Sequence, residues 1–256
     1  MSWSAKQYTQ FEDERTRPVR DLLAAVPQGG TGPVVDLGCG PGNSTELLVQ
    51  RCPGVAATGL DSSPEMIEAA RKRLPDIRFE LADIAAWDAP GPFGAILANA
   101  VLHWLPDHGL LLPRLASRLA PGGSLAVQMP DNLEEPAQVL MREVAAAGPW
   151  RDKLAQAAGK RTQIGRPDWY YGMLRQHCSR VEVWRTTYFH VLPGGADAVV
   201  EWFKGSGLRP FLAPLDASEQ AAFLGRYREG VAAAYPALAG GEVLLAFPRL
   251  FLVGTR

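Results

Sequence analysis

The feature that most constrains the fold is a short apolar run, Val34–Leu37, that breaks into a glycine-rich turn. Gly38, Gly40 and Gly42 alternate in this turn, and an amphipathic segment typical of a helix follows from Ser44. A strand, a tight turn and a helix N-terminus form a place where a nucleotide-like ligand can lie against bare backbone. The pattern therefore predicts a ligand-binding α/β fold.

The spacing of the glycines separates two classes of nucleotide-binding turn. A dinucleotide fingerprint has the pattern G-x-G-x-x-G, whereas this turn is G-x-G-x-G, with Asn43 where the third dinucleotide glycine would stand. A carboxylate, Asp36, lies two residues before the first glycine. This arrangement resembles the first motif of class I S-adenosylmethionine (SAM)-dependent methyltransferases. Because glycine turns are common, further residues must decide between the two classes.

Between residues 34 and 147, short apolar runs alternate with amphipathic segments. This alternation indicates a parallel sheet covered by helices on both faces. The predicted strands are 34–37, 56–60, 77–81, 93–98 and 124–128, and the predicted helices are 44–51, 64–73, 110–119 and 134–147. Ser63 and Pro64 predict a helix N-terminus. The Pro-Gly-Gly segment 121–123 predicts the end of a helix and the turn into the next strand.

Beyond residue 149 the pattern changes. Residues 153–172 are polar, mixed and rich in Gly and aromatic residues, which predicts helical insertions or a lid. Further predicted elements are a long strand at 181–191, an amphipathic helix at 216–235 and a final strand at 243–253. Pro248 interrupts this last strand and predicts an edge position or a bulge. We therefore divide the chain into a SAM-binding core with an N-terminal cover segment (1–149), a helical lid (150–180) and the remainder of the same domain (181–256).

The composition is that of an ordinary globular protein and gives no sign of a nucleic acid or membrane partner. The net charge is −1, with 47% hydrophobic and 21% charged residues. The charge is uneven, however: residues 1–149 hold 12 basic and 18 acidic side chains, and residues 150–256 hold 14 and 9. A basic second half suits the capture of a small anionic substrate. A chance fluctuation of surface charge explains the same numbers.

The number and spacing of the cysteines indicate the redox environment of the protein. Cys39, Cys52 and Cys178 form no C-x-x-C pair, which argues for a reducing environment without a disulfide framework or structural zinc. The chain shows no secretory leader pattern and no apolar run long enough to span a bilayer. We therefore expect a cytoplasmic protein that uses neither a metal nor a membrane.

Two more carboxylates follow predicted strands and make the glycine-rich turn more specific. Asp61 ends the second strand, about 20 residues beyond the turn, where an acid meets ribose hydroxyls. Asp83 stands just past the third strand. Because the carboxyl ends of parallel strands meet at one edge, Asp36, Asp61 and Asp83 would line one crevice. Taken alone, Asp61 is also explained as the N-cap of the helix that starts at Pro64.

Residues 33–128 resemble the class I methyltransferases, in which an acid at the position of Asp83 binds the adenine amino group and the next apolar residue, Ile84, packs on the ring. The resemblance implies a Rossmann-like fold with a seven-stranded mixed sheet and helices on both faces, to which we add the helical lid. SAM is the implied cofactor and S-adenosylhomocysteine (SAH) its product. The implied cofactor-binding residues are Asp36, Gly38, Gly40, Asn43, Asp61, Ser62, Met66, Asp83, Ile84 and Asn99.

At family level, nearly the whole chain resembles the bacterial trans-aconitate 2-methyltransferases. The segments that carry the resemblance are 36–45 (DLGCGPGNST), 59–66 (GLDSSPEM), 104–108 (WLPDH), 128–132 (QMPDN), 141–145 (MREVA), 183–190 (VWRTTYFH), 207–210 (GLRP) and 245–251 (LAFPRLF). The last three lie where unrelated methyltransferases diverge, so they are specific. One departure is His103 before Trp104, where Gln is expected in that family. This exchange bears on the exact acid more than on the chemistry.

The resemblance implies transfer of a methyl group from SAM to a carboxylate of a small polycarboxylic acid, in the first place trans-aconitate. A carboxylate is already ionised at neutral pH, so its attack needs no general base, and no acid–base residue is predicted. The protein must align the reactants and exclude water, which can supply roughly 7–11 kcal/mol of the barrier. His103 and Trp104 are the side chains nearest the expected methyl position.

Recognition of the remaining carboxylates calls for Arg forks and for His and Tyr donors. The strand at 181–191 offers Arg185, Tyr188 and His190. Arg185 and Tyr188 point to opposite faces of a regular strand, so both cannot line one pocket without a bulge, and the sequence leaves open which face meets the ligand. The predicted substrate-binding residues are Arg15, His103, Trp104, Arg185, Tyr188, His190, Arg209 and Arg249.

Three other functions are compatible with parts of the pattern. Methylation of another small carboxylic acid, or of a malonyl thioester on a carrier protein, uses the same chemistry, and a basic patch beside the pocket would favour the carrier. A SAM-binding module without activity would keep the same three aspartates. An NAD(P)-linked oxidoreductase would share the glycine-rich turn, but Asn43 and Asp83 argue against it.

Overall fold

The computed structural model describes residues 12–157, 159 and 163–256, with side chains from residue 16 onward. The strands are β1 (Val34–Leu37), β2 (Ala57–Asp61), β3 (Arg78–Leu81), β4 (Phe93–Asn99), β5 (Leu119–Pro130), β6 (Arg180–Pro193) and β7 (Glu242–Thr255). The helices are α1 (Glu12–Ala25), α2 (Asn43–Arg51), α3 (Pro64–Arg73), α4 (His108–Ser117), α5 (Pro136–Ala147), α6 (Arg151–Leu154), α7 (Pro167–Leu174), α8 (Gly195–Lys204), α9 (Arg209–Leu212) and α10 (Ala217–Ala234). A short 3-10 helix, Leu102–Trp104, lies between β4 and α4. The side chain of Arg15 and most of the predicted cover segment lie outside the described part.

The strands form one sheet in the order β3-β2-β1-β4-β5-β7-β6. Strands β1 to β5 pair in parallel. β7 runs antiparallel to β5, since Gly122 N–H donates to Arg256 C=O at one end and Asp131 N–H donates to Pro248 C=O at the other. The predicted seven-stranded mixed sheet is therefore confirmed. The strand order reverses at β1, which creates a crevice outside the carboxyl ends of β1 and β4.

Burial and capping explain where the elements form. Every residue of β1 and β4 is buried, as expected for parallel strands with helices on both faces. Ser63, which precedes Pro64, is the N-cap of α3. Its side-chain oxygen accepts a hydrogen bond from the Met66 N–H at 3.5 Å. Asp216 and Glu219 form a capping box at the start of α10. These local signals made the start of both helices predictable.

The prediction that the Pro-Gly-Gly segment 121–123 ends a helix is wrong. α4 ends at Ser117 and β5 begins at Leu119, so the segment lies inside the strand. The register against β4 shifts here and leaves extra residues of β5 in a bulge. Gly122 has a φ of +74°, and a Cβ on Gly123 would lie 2.5 Å from a carbonyl oxygen of β4. Both glycines are therefore used to form the bulge.

Of the two alternatives for Pro248, the edge position is wrong, because β7 lies between β5 and β6, and the bulge stays a prediction. The residues that follow, 250–253, are all buried, as suits a strand in the interior of a sheet. The carbonyl oxygen of Pro248 accepts the Asp131 N–H at 2.9 Å, so this residue keeps a backbone hydrogen bond on its acceptor side.

The described chain divides into two compact units. Unit 1 comprises the chain up to Pro130, Ile164–Thr186 and Leu250–Arg256, and unit 2 comprises Asp131–Gln163 and Thr187–Arg249. In unit 2, α10 packs on α5 and α8, and the Phe223 ring lies 5.4 Å from that of Trp150. Of the predicted lid, α6 belongs to unit 2 and α7 to unit 1, while residues 158 and 160–162 lie outside the described part. The predicted domain boundaries at residues 149 and 180 separate a core, a lid and a remainder by their expected function. These boundaries stay a prediction.

Candidate active site

Three glycines with left-handed backbone conformations lie in the turn between β1 and α2. Gly38, Gly40 and Gly42 have φ angles of +71°, +54° and +92°, which L side chains rarely adopt. A Cβ on Gly38 would lie 2.5 Å from the Val101 side chain, so packing requires this glycine. A Cβ on Gly40 would meet none of the described atoms within 4 Å. Gly40 therefore borders open space near the N-terminus of α2, which favours anionic groups.

Asp36 ties the end of β1 to the first turn of α2. Its Oδ2 accepts hydrogen bonds from Ser44 Oγ at 2.6 Å and Thr45 Oγ1 at 2.7 Å. The side chain is fully buried, and this burial raises the pKa of the carboxyl group to about 6. Its Oδ1 has no hydrogen-bond partner among the described residues. A buried carboxylate in this state calls for a further donor, which a cationic ligand group would supply.

Asp61, at the end of β2, holds the turn from its other side. Its Oδ2 accepts the Gly40 N–H at 3.0 Å, and its Oδ1 accepts the Ser63 N–H at 2.9 Å. Burial raises the pKa of this carboxyl group, and the backbone hydrogen bonds oppose the rise. The N-cap of α3 is Ser63, so Asp61 does not cap that helix. The carboxylate is thus fixed beside the glycine-rich turn.

Asp83 and Ile84 follow β3, in the loop where the resemblance implies contact with adenine. Asp83 is exposed and its Oδ1 accepts the Ala85 N–H at 2.9 Å, while Ile84 is buried in the core of unit 1. Arg114 of α4 donates to the carbonyl oxygens of Ile84 at 3.1 Å and Ala85 at 3.0 Å, which fixes the loop. The sequence analysis missed Arg114, because no motif marks a residue that contacts a distant loop through backbone carbonyls.

Two buried asparagines add unsatisfied polar atoms near the same turn. Asn99 ends β4 and Asn43 begins α2. In the part of the chain that the structure describes, Asn99 Oδ1 and Asn43 Nδ2 lack a hydrogen-bond partner. With Asp36 Oδ1 they provide an acceptor, a donor and a carboxylate oxygen at the point where the strand order reverses. This set fits a ligand with ammonium and carboxylate groups, such as the methionine end of SAM. Of the other predicted cofactor residues, Met66 is buried in α3 and Ser62 is exposed.

His103 and Trp104 lie in the 3-10 helix that follows β4. His103 is buried, Trp104 is half-buried, and their ring centroids are 4.8 Å apart. Two non-glycine residues with left-handed backbone flank this helix, Ala100 with a φ of +52° and Asp107 with a φ of +57°. Such residues persist where the surroundings hold them, and they cluster at functional sites.

β6 separates the predicted substrate residues onto two faces. Tyr188 and His190 are buried, whereas Arg185 is exposed on the other face. The structure thereby shows which face of this strand is buried.

A buried cluster of unit 2, which we call the 249 cluster, brings together His190, Trp202, Phe247 and Arg249. The Arg249 guanidinium carbon lies 4.7 Å from the Phe247 ring centroid, and this arginine is only 4% exposed. His190 stacks on Trp202 with centroids 4.5 Å apart and lies 5.7 Å from Phe247. The sequence analysis missed Trp202, because its spacing within α8 reads only as core packing. Arg209 is half-buried at the start of α9.

The described ranges contain neither a candidate metal site nor a candidate membrane span. No group of three or more His, Cys, Asp and Glu side chains there could hold a metal ion. No helix in those ranges is both long and apolar enough to cross a bilayer.

Comparison with known proteins places the fold in a class. Residues 34–123 match the family described as Methyltransferase domain. The YcgJ protein from Bacillus subtilis aligns with a TM-score of 0.59 and 13% identity over 94% of this chain and 98% of its own. Geranyl diphosphate methyltransferase, solved in complex with SAM, aligns with a TM-score of 0.54 and 16% identity over 98% of this chain and 89% of its own. Fold, glycine-rich turn and family match together define a class I methyltransferase.

Three relatives narrow the class to one family. This chain is 58% identical to the trans-aconitate 2-methyltransferase of Methylobacterium nodulans (strain LMG 21967 / CNCM I-2342 / ORS 2060), over 99% of this chain and 98% of the relative. It is 55% identical to the trans-aconitate 2-methyltransferase of Rhodopseudomonas palustris (strain BisB5), over 99% of both chains. That of Rhizobium meliloti (strain 1021) is 53% identical over 100% of this chain and 99% of its own. The chain belongs to the trans-aconitate 2-methyltransferase family.

Proposed function

We propose that this protein transfers the methyl group of SAM to a carboxylate of trans-aconitate and releases SAH and a methyl ester. The observation that carries the proposal is identity of 53% to 58% with trans-aconitate 2-methyltransferases over at least 99% of the chain. The alignments with these relatives extend through unit 2. The unsatisfied oxygen of Asp36 and the open space at Gly40 support the same cofactor.

The residues of unit 1 fit SAM. Asp36 Oδ1 would accept a hydrogen bond from the ammonium group, Asp61 would bind the ribose hydroxyls and Asp83 the adenine amino group. Gly40 leaves the space that the methionine end requires. When bound, SAM supplies a methyl group that its sulfonium makes electrophilic.

The methyl transfer asks the protein for positioning rather than proton transfer. A carboxyl group with an ordinary pKa near ~4 arrives ionised at neutral pH. One of its oxygens forms a bond to the methyl carbon while the methyl–sulfur bond breaks, and the electron pair of that bond stays on sulfur. Since no proton moves, His103 is not needed as a base. His103 and Trp104 instead exclude water and orient the reacting carboxylate.

The 249 cluster, together with Tyr188, is our candidate in unit 2 for binding carboxylate groups of the acid. A buried guanidinium on an apolar wall binds a carboxylate strongly, because few water molecules compete there. The exposed Arg185 and the half-buried Arg209 are secondary candidates for the same role. The three cysteines are all unpaired, which supports the reducing, cytoplasmic compartment that we propose for this chemistry.

Gly40→Ala is expected to weaken SAM binding at least tenfold (~1.4 kcal/mol) while the fold persists. The added methyl group would occupy open space that the cofactor needs. Gly54→Ala is the matched control, since Gly54 also has a positive φ (+76°) and no described atom within 4 Å of a Cβ. Both variants carry the same kind of backbone strain, about 1–2 kcal/mol. Calorimetric titration with SAM and thermal unfolding measure both effects. Equal SAM affinities in the two variants would contradict the assignment.

SAM affinity is expected to fall as the pH drops below about 6, by up to tenfold per pH unit. Burial raises the pKa of Asp36 to about 6, and the cofactor's ammonium favours the ionised form, so binding at lower pH must first release a proton. Stability of the free protein shows the opposite sign: the contribution of Asp36 is fully present below its ordinary pKa and is lost as pH rises through about 6. Titrations from pH 5 to 8 should lose this inflection in Asp36→Asn. An inflection that persists in that variant would assign the titration to another group.

A substrate panel tests the proposed function. Methyl-labelled SAM is offered with trans-aconitate, cis-aconitate, citrate, isocitrate and a malonyl thioester, and kcat/KM is compared. We expect the highest value for trans-aconitate and a base-labile product. A higher value for another acid or for the thioester would reassign the substrate while keeping the chemistry.

A further inference from the structure

A buried hydrogen-bond chain in unit 1 connects α7 to the 3-10 helix that carries His103 and Trp104. His108 Nε2 lies 2.8 Å from the carbonyl oxygen of Leu102, and His108 Nδ1 lies 2.6 Å from the hydroxyl of Tyr170. The Gly165 N–H donates to the same hydroxyl at 3.1 Å. His108 and Tyr170 are both buried, although 62 residues separate them along the chain. The chain of bonds therefore links residues 102–108 to residues 165–170, two stretches that are distant in sequence.

Chemistry sets the direction of every bond in this chain. A carbonyl oxygen can only accept, so His108 Nε2 carries the proton and donates to Leu102. An imidazole that carries its proton on Nε2 alone has an acceptor at Nδ1, to which the Tyr170 hydroxyl donates. The hydroxyl oxygen in turn accepts from the Gly165 N–H. Loss of the Tyr170 hydroxyl would leave the buried His108 Nδ1 and the part-buried Gly165 N–H without that partner.

The linked segment needs such support. Ala100 and Asp107, which flank the 3-10 helix, hold left-handed backbone conformations without being glycine. Strained backbone of this kind persists where contacts with neighbouring residues hold it in place. Packing of α7 against the start of α4 contributes too, since a Cβ on Gly109 would lie only 3.5 Å from the Trp169 indole. Segment 100–107 is therefore held by contacts made by α4 and α7.

We propose that Tyr170 and His108 are positioning residues for methyl transfer, which hold segment 100–107 so that His103 and Trp104 orient the reacting carboxylate. This inference rests on the proposed function for the role of His103 and Trp104. Neither Tyr170 nor His108 touches the substrate in this account. They act through the backbone of the 3-10 helix, at Leu102.

Tyr170→Phe is the first test, because it removes one oxygen and keeps the ring. We expect kcat with trans-aconitate to fall about tenfold, as small misplacements of reacting groups do, while the dissociation constant of SAM changes less than about twofold. Turnover is normalised to the number of SAM-binding sites, so that unfolded protein does not count. Tyr171→Phe is the matched control: it removes an exposed hydroxyl from the same helix and should leave kcat unchanged. An unchanged normalised kcat in Tyr170→Phe, with methyl transfer active in the unmodified protein, would overturn the proposal.

A second measurement does not depend on the substrate. Trp104 N–H donates to Val101 and Leu105 N–H to Leu102, so amide hydrogen exchange reports directly on the 3-10 helix. Exchange in segment 100–107 should accelerate at least about tenfold in Tyr170→Phe and stay unchanged in residues 34–45. Unchanged exchange in 100–107 would overturn the positioning role even if no acid were methylated. Accelerated exchange in a protein that methylates no acid would refute the proposed function and keep the structural linkage.

Two substitutions of His108 separate hydrogen bonding from packing. His108→Gln keeps an amide that can donate and accept, and should retain most of the turnover. His108→Leu fills a similar volume without polar atoms, and should lose at least as much kcat as Tyr170→Phe. Equal kcat values for the two His108 variants would show that the hydrogen bonds do not position the segment.

Discussion

Asp61→Ala is expected to raise the dissociation constant of SAM about 5- to 150-fold, which corresponds to about 1–3 kcal/mol. Two losses contribute: the ribose hydroxyls lose their acceptor, and the Gly40 N–H loses the carboxylate oxygen that holds it at 3.0 Å. The second loss loosens the glycine-rich turn itself. Calorimetric titration with SAM measures the change.

Asp76→Ala is the matched control for Asp61→Ala. It removes one carboxylate of unit 1 from an exposed position ahead of β3 and changes the net charge equally. Asp61→Asn, which keeps an acceptor oxygen, should fall between the control and Asp61→Ala. If Asp61→Ala bound SAM as tightly as Asp76→Ala, the whole cofactor-site assignment would have to be abandoned.

Arg249→Gln is expected to raise the KM for trans-aconitate about 10- to 150-fold and to leave the dissociation constant of SAM unchanged. Hydrogen bonds to charged groups contribute about 1.5–3 kcal/mol, and this guanidinium is buried against Phe247. Glutamine keeps hydrogen-bond donors but removes the charge and the planar fork. Steady-state kinetics with SAM at saturation measure the effect.

Arg226→Gln provides the control for that substitution. Arg226 also lies over an aromatic ring, 5.4 Å from the Trp150 centroid, but on the exposed side of α10. Its loss should leave KM unchanged. Arg185→Ala should raise KM by less than Arg249→Gln, because Arg185 is exposed. An unchanged KM in Arg249→Gln would move acid recognition away from the 249 cluster, and weaker SAM binding would mean that Arg249 serves the cofactor.

Much of unit 1 was predictable because its signals are local. The run Val34–Leu37 forms a strand as predicted, since a short, mainly apolar run between Pro33 and a glycine-rich turn, buried on both faces, has few other solutions. The positions of Asp36 and Asp61 near the ends of strands could be predicted because the strands themselves were recognisable in the sequence. The hydrogen-bond partners of these two carboxylates, Ser44 and Gly40, are set by the geometry of the turn that connects β1 to α2.

What the sequence analysis missed depends on contacts between distant segments. Gly122 looked like the end of a helix because a Gly-Gly pair serves a bulge as well as a turn. Pro248 looked like an edge residue because the position of β7 in the sheet is set by pairing with β5 and β6. Arg114 and Tyr170 carry no motif, since each acts on a segment at least 29 residues away.

A single-turnover experiment measures methyl transfer to trans-aconitate directly. Protein loaded with methyl-labelled SAM is mixed with excess trans-aconitate, and ester and SAH are quantified by mass spectrometry. We expect one labelled, base-labile monomethyl ester and one SAH for each SAM-binding site. Full SAM occupancy with no label in trans-aconitate would contradict the proposed function.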